Sequence, residues 1–222
     1  LRMNLLPYIW QEAIYCSETT RPMMAHLIYD FLGTDGRVIL DIEDQYMFGR
    51  SLLVAPIVEE RALSREIYLP IGKWYDFWSG DLCGGGQKVQ YLCDLDRIPV
   101  FVRSGSILPV NLNQRLCMGS QTKEGQISNR VDQYERLSFL LYGQDGQMEF
   151  SDNFGNKLIF NWEGGQLRVS GKSVMPVIIF HMGAEGLLCP GARKVEGKIL
   201  GRRTSGWELP EVRRSESAEG LG

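Results

Sequence analysis

Asp44-Gln45-Tyr46-Met47-Phe48-Gly49, running on into Leu52-Leu53-Val54-Ala55-Pro56, marks the point where the chain changes rhythm. Upstream, Leu5, Leu6, Ile9, Trp10, Ala13 and Ile14 recur at helical spacing with a wide stripe to bury. Pro7 is tolerated there if it sits in the first turn, where its missing N–H is not needed. The pattern predicts a helix over Met3–Tyr15, a buried strand over Met23–Tyr29, a polar turn at Gly33-Thr34-Asp35-Gly36 and a short helix over Glu43–Phe48. Downstream, short runs rich in Val, Ile, Tyr, Phe and Trp alternate with Gly, Pro and Asp. Strands are predicted at Leu52–Val58, Arg65–Leu69, Lys73–Trp78, Lys88–Leu92, Val100–Arg103 and Ile107–Val110. Short strands at intervals of roughly 8–12 residues predict an antiparallel sandwich.

Residues 111–133 carry few apolar positions, and a linker or long loop is placed at 116–133. A second β-rich block follows over 134–210. Leu137–Tyr142, Gly143-Gln144-Asp145-Gly146 and Gln147–Ser151 read as a hairpin through a Gly-bracketed turn. Lys157–Trp162, Gln166–Ser170 and Pro176–Met182 are further predicted strands. The tail, 211–222, has no apolar periodicity and reads as disordered. No internal repeat is apparent, which argues against a propeller or solenoid.

Composition narrows the class. The chain has 222 residues, enough for one large or two small cores. A net charge of −3 argues against nucleic acid as a partner, since phosphate binding usually needs a basic excess. No run of 18 apolar residues exists, so no membrane span is predicted. The five cysteines (Cys16, Cys83, Cys93, Cys117, Cys189) include no Cys-x-x-Cys pair, and His26 and His181 are the only imidazoles. A zinc site or other cofactor is therefore not expected, and reduced thiols in a cytoplasmic protein fit best. Cys83 and Cys93 flank a Gly84-Gly85-Gly86 turn and could face each other across a hairpin.

The opening stretch, with Tyr68-Leu69-Pro70, Gly72-Lys73-Trp74-Tyr75-Asp76-Phe77-Trp78-Ser79-Gly80 and Arg97-Ile98-Pro99-Val100-Phe101-Val102-Arg103, resembles a region of glycoside hydrolase family 31, the α-glucosidases and α-xylosidases. In that family the region lies where a catalytic barrel ends and a β-sandwich begins. The resemblance implies a mainly β fold: antiparallel β-sandwich domains preceded by a short α/β remnant of a TIM barrel. Residues 1–49 would be the end of the (β/α)8 barrel, 50–115 a proximal C-terminal sandwich and 134–210 a distal β domain. It further implies a retaining parent glycosidase using two aspartates, both upstream of Leu1. The chain itself would then be inactive, with no catalytic, cofactor or metal residue. Its partners would be the upstream barrel, that enzyme's α-glycoside substrate and a second copy in a homo-oligomer. The competing reading is a non-catalytic carbohydrate-binding sandwich module.

Trp74-Tyr75-Asp76 mimics half of the family's nucleophile segment, but Phe77-Trp78 follows and the setting is a sandwich strand. Alternation puts Trp74, Asp76 and Trp78 on one face and Tyr75 and Phe77 on the other, which predicts packing on both faces rather than a sugar platform. Asp41, Glu43 and Asp44 form the densest acidic cluster, with Asp41 predicted as a helix cap. Asp94 and Asp96, between a strand and Ile98-Pro99, read as turn residues, and so do Asp145, Asp152 and Asn153, because the calcium-loop ligand pattern is absent. His26 is expected mid-strand as a satisfied core histidine, and His181 far from any partner. Arg97 could pair with Asp94 or Asp96, Pro99 opens a strand, and Gly105 supplies a positive φ.

Overall fold

The computed structural model describes residues 1–92, 94, 96–119, 135–152, 154–182, 187–210 and 212. The predicted linker beyond residue 119, the tail from residue 213, Cys93 and Asn153 lie outside the described residues. The chain divides into two compact units, Glu12–Ser106 and Leu1–Gln11 with Ile107–Gly222. Helix α1 (Leu6–Thr19) contributes residues to both.

In Glu12–Ser106, β1 (Met24–Ala25), α2 (Ile28–Asp35) and a 3-10 helix (Gly36–Asp41) precede the strands. These are β2 (Tyr46–Phe48), β3 (Leu52–Val54), β4 (Ser64–Leu69), β5 (Lys73–Asp76), β6 (Leu82–Gly84), β7 (Gln87–Leu92) and β8 (Val100–Arg103). Six of them form an antiparallel sheet in the order β1-β2-β3-β8-β5-β6. The β4–β7 ribbon closes the core: Ile67 and Leu69 share one buried cluster with Leu53, Trp74, Phe101 and Phe31. Residues of the opening stretch make this junction. The Gln45 side-chain amide donates to the Tyr68 carbonyl at 2.6 Å and accepts the Tyr68 N–H at 3.0 Å, continuing a ladder with a side chain. Met47 is fully buried.

Three local expectations are corrected. Only Met24–Ala25 of the predicted strand Met23–Tyr29 is extended, and it pairs antiparallel with β2. From Leu27 the chain is helical, and the Phe31 N–H reaches the Leu27 carbonyl at 3.0 Å. A continuous apolar run cannot be told from a helix by periodicity alone; here Leu27 and Phe31, four apart, are the buried pair. Accordingly, Gly33-Thr34-Asp35 belongs to α2 rather than to a turn. The predicted helix Glu43–Phe48 instead ends in strand β2, and Gly49 (φ +64°) turns β2 into β3, so a boundary at Gly49 cuts through a hairpin.

The second unit contains β9 (Ser106–Val110), β10 (Cys117–Met118), β11 (Leu137–Tyr142), β12 (Gly146–Ser151), β13 (Lys157–Glu163), β14 (Gln166–Gly171), β15 (Val177–Met182), β16 (Arg193–Ile199) and β17 (Arg202–Leu209). One sheet has the order β10-β16-β17-β15-β11-β9 and a second the order β12-β13-β14. Phe139 and Ile179 of the first sheet and Phe150, Phe160 and Trp162 of the second pack in one core. The predicted hairpin across Leu137–Ser151 is corrected: β11 pairs in parallel with β15, and β12 pairs with β13. All six β11 residues are buried, as in a central strand, whereas β12 is mostly exposed or half-buried. The β16–β17 hairpin was not predicted. Its glycines are steric requirements, because a Cβ at Gly206 would stand 2.7 Å from the Phe180 ring and one at Gly197 equally close.

A buried ion pair anchors the first unit. The Glu12 carboxylate, 2% exposed, accepts the Arg50 backbone N–H at 2.9 Å and its guanidinium at 2.8 and 3.1 Å. Arg50 also lies over the Tyr15 ring at 4.0 Å. The Arg50 side chain remains 41% exposed, so the two partners are not equivalent. Arg50→Ala leaves the buried carboxylate with the residue-50 backbone N–H but without its counter-charge, and should cost about 3–5 kcal/mol in urea unfolding. Glu12→Ala leaves a guanidinium that still reaches water and should cost less. Equal losses would place the constraint elsewhere.

Candidate functional site

A concavity lined by aromatic and charged residues lies beside the Trp74–Trp78 segment. It is a groove of about 850 Å³ whose lining includes Asp76, Trp78, Gln90, Tyr91, Asp94 and Arg97. Strand β5 delivers Trp74, Tyr75 and Asp76, and all three are buried, as is Phe77. Both faces of the strand are therefore covered, as the alternation predicts. Trp74 is 1% exposed and donates its Nε1–H to the Pro70 carbonyl at 2.8 Å, so it offers no face to a sugar. Trp78 follows the strand's end and is half-buried. Its Nε1–H donates to the Ile98 carbonyl at 2.8 Å, Phe77 meets it edge-on and the Arg97 guanidinium lies 5.6 Å from its ring centroid.

Asp76 is the buried acid of this groove. Its Oδ1 accepts the N–H groups of Trp78 at 2.8 Å and Ser79 at 2.7 Å, closing the turn that returns the chain to β6. Burial followed by the Asp76 charge pushes the Tyr91 phenol well above its usual range. An acid committed to two backbone amides is a structural acceptor.

The other candidates fall apart as a site. Asp41 ends the 3-10 helix and caps no following one, which corrects that expectation. Asp44 pairs with Arg65 at 2.6 Å, and Glu66 with Lys88 at 2.7 Å, along a groove of about 570 Å³. Asp94 accepts the Asp96 N–H at 3.2 Å and bridges to Arg97 through backbone, and Asp152 accepts the N–H groups of Phe154 and Asn156. These are turn roles. Asp145 lies in the bend between β11 and β12. His26 stands just beyond β1 rather than mid-strand, its Nδ1 accepting the Ile28 N–H at 3.2 Å. His181 has a partner after all: its Nε2 lies 3.0 Å from the Gly143 carbonyl, beside Trp207. Gly105 has φ +83°, as predicted. Among the described residues no three His, Cys, Asp or Glu side chains cluster as metal ligands, and Cys16, Cys83, Cys117 and Cys189 are free thiols.

Sequence reasoning missed the half-buried Arg21–Asp30 pair, 2.5 Å apart, in which Arg21 also donates to the Gly49 carbonyl at 3.0 Å. It also missed Asp35, which accepts the Tyr68 hydroxyl at 2.7 Å and the Ile71 N–H at 2.8 Å. Neither pair has a local sequence signal, because which acid meets Arg21 or Tyr68 depends on how the chain folds between them.

Fold and groove together define a β-rich region whose named acids fix turns and ion pairs. Residues 20–108 match the glycosyl hydrolase family 31 C-terminal domain, and the chain carries that domain. An isomaltosyltransferase of Sporosarcina globispora is 42% identical over 144 residues, which is 64% of this chain and 12% of that protein. An α-xylosidase of Saccharolobus solfataricus is 32% identical over 168 residues, covering 75% and 21%. The cycloalternan-forming enzyme from Listeria monocytogenes superposes with a TM-score of 0.72 at 27% identity, over 94% of this chain and 21% of that one. The α-xylosidase from Xanthomonas citri shares the fold, with a TM-score of 0.66 and 24% identity over 94% of this chain and 23% of its own. The chain thus spans less than a quarter of each of these relatives.

Two measurements check this geometry. Trp74→Ala should cost about 3–5 kcal/mol as a large-to-small core change, and the half-buried Trp78→Ala distinctly less, in thermal and urea melts. The converse order would put Trp78 in the core. Burial and then the Asp35 hydrogen bond and charge push the Tyr68 phenol up to about 12 from its ordinary 10. Its contribution to stability is then full below the unfolded value and is lost as pH rises through the folded one. Ultraviolet titration should show Tyr68→Phe removing a late-ionising phenol and flattening the stability loss over that window. A phenol lost from the early, exposed class would contradict the assignment.

Proposed function

We propose that the chain is the C-terminal portion of a retaining α-glycosidase, of the α-glucosidase or α-xylosidase class, serving carbohydrate metabolism. Within it the chain's role is structural: it closes and supports an upstream (β/α)8 barrel that carries both catalytic carboxylates. The observation that carries this reading is the family match over residues 20–108, a stretch in which the buried acid Asp76 is spent on a turn. Retaining hydrolysis needs one carboxylate free to attack the sugar and a second, roughly 5 Å away, to give and take a proton. Such a pair must be held with one pKa raised and the other group ionised. Asp44, Asp76 and Asp152, each engaged by an Arg or by backbone amides, do not offer that setting.

The substrate follows from the relatives, whose names cover α-xylosidase, α-glucosidase and isomaltosyl transfer. The shared chemistry is displacement at an α-linked anomeric carbon, with water or a second sugar as acceptor. Free thiols support a cytoplasmic location, and among the described residues no helix is long and apolar enough to cross a membrane.

The test assays the purified 222 residues and the parent enzyme with aryl α-glucoside and α-xyloside. Turnover is expected in the parent and none in the chain alone. Turnover by the chain that disappears when one of its own carboxylates is replaced would overturn the reading. The half-buried Trp78 in its groove is the observation favouring a carbohydrate-binding module instead. That reading requires α-glucan affinity that Trp78→Ala abolishes while the melting temperature holds.

A further inference from the structure

A cleft in the unit formed by Leu1–Gln11 and Ile107–Gly222 joins bare aromatic rings to a buried hydroxyl. It is narrow, with about 30 Å³ open to water-sized molecules, room for one or two of them. Its lining includes Pro7 and Trp10 of α1, Arg136, Ser138 of β11, Asp152 and Phe154. Exposure separates mouth from floor. Trp10 (51%) and Phe154 (62%) stand in water, whereas Ser138 is 3% exposed and its Oγ has no hydrogen-bond partner among the described residues. Large rings left bare are an uncommon use of apolar surface, and an unpaired buried hydroxyl costs stability. One ligand answers both.

We infer that this cleft is a saccharide site that seats one glucosyl unit of an α-glucan. The identity of the sugar rests on the reading of the chain as part of an α-glycosidase, and the kind of ligand follows from the lining. A wholly apolar molecule would cover the rings but leave the Ser138 hydroxyl and the charges of Arg136 and Asp152 desolvated and unpaired. A simple ion gains nothing from Trp10 and Phe154, and the opposite charges of Arg136 and Asp152 favour neither sign. A pyranose has an apolar C–H face to lay on aromatic surface and a rim of hydroxyls, each both donor and acceptor. The lining offers partners of both kinds. Arg136 donates, and its ion-pair partner Glu135 stands 3.8 Å away, at the limit of contact. Asp152 accepts the N–H groups of Phe154 at 2.9 Å and Asn156 at 2.7 Å and the Asn156 side-chain amide at 2.9 Å. That leaves one of its roughly four acceptor positions for a sugar. The bond to Phe154 also fixes the turn that presents the ring. With the pyranose at the mouth, the small space below takes its hydroxymethyl group, whose hydroxyl is the partner for Ser138. That arm is what a glucosyl unit has and a xylosyl unit lacks.

Isothermal titration of the 222-residue chain with maltotriose tests the site. Binding is expected, weakened about tenfold by Trp10→Ala and by Phe154→Ala and unchanged by Trp78→Ala. Phe154, a turn residue in water, keeps the test decisive if Trp10→Ala unfolds the chain. Ser138→Ala should weaken binding several-fold yet hold or raise the melting temperature, because it removes an unpaired buried hydroxyl. Methyl α-xyloside should bind several-fold more weakly than methyl α-glucoside, for want of the hydroxymethyl arm. No maltotriose binding at any attainable concentration overturns the inference, as does equal affinity for the two methyl glycosides. Binding that Trp78→Ala abolishes and that Trp10→Ala and Phe154→Ala spare assigns the sugar to the other groove and also overturns it. A lowered melting temperature in Ser138→Ala does the same, by showing the hydroxyl to be paired within the fold. An active parent enzyme beside a chain that binds no maltotriose defeats the inference alone. A chain that binds through Trp10 and Phe154, from a parent without α-glycosidase activity, defeats the functional reading alone.

Discussion

The Glu12–Arg50 pair is the constraint on which the first unit depends. A carboxylate as buried as Glu12 is tolerable only if its lone pairs are filled, and Arg50 fills them with its backbone N–H and with its guanidinium. Backbone and side-chain bonds together fix the helix to the β2–β3 turn in position and in rotation. That turn in turn sets the register Tyr46↔Val54, Met47↔Leu53 and Phe48↔Leu52, and a slip of one residue would move Met47 from core to solvent. With β2 placed, Gln45 meets the Tyr68 backbone and Asp44 meets Arg65, which brings the β4–β7 ribbon over the sheet. A single ion pair thereby orders helix, sheet and ribbon.

A second theme is that polar groups in the described part of the chain are spent on geometry. Asp76 closes a turn, Asp35 holds Tyr68, Asp152 gathers two backbone amides, and Asn4 donates to the Asn111 carbonyl at 2.7 Å and accepts the Gly119 N–H at 3.3 Å. A catalytic acid must keep a lone pair or proton free and poised for a reacting group. Acids consumed in this way stiffen the loops between short strands. That is the property required of a scaffold that must present a fixed surface.

Much of the fold was legible in the sequence, because strand existence depends on local pattern. Val100–Arg103 and Leu137–Tyr142 have the predicted bounds, and the Gly164-Gly165 turn, positive in φ at both residues, joins β13 to β14 as its glycines demand. What the sequence left hidden depended on pairing. Met23–Tyr29 reads equally as strand or helix until Leu27 and Phe31 are seen to face one core. β11 and β12 look like a hairpin, yet the full burial of β11 requires neighbours on both edges, and those come from β9 and β15. β16 and β17 were missed because Arg, Lys, Glu and Thr cover their outer faces, and the glycines that admit Phe180 dilute the apolar signal. Of the groove, the packing of Trp74 was legible from alternation, whereas the stacking of Arg97 on Trp78 required knowing where two distant loops meet.

The misread segment is also the one with apolar residues on both sides, and the two facts share a cause. Continuous apolarity is the signature of an element covered twice, and it erases the periodicity by which helix and strand are told apart. Local pattern specifies an element well when one face meets water and poorly when neither does. Met24 to Leu40 is ambiguous as sequence because its exposed residues, Met24, Tyr29 and Leu32, are as apolar as its buried ones, Ala25, Leu27, Phe31 and Ile39.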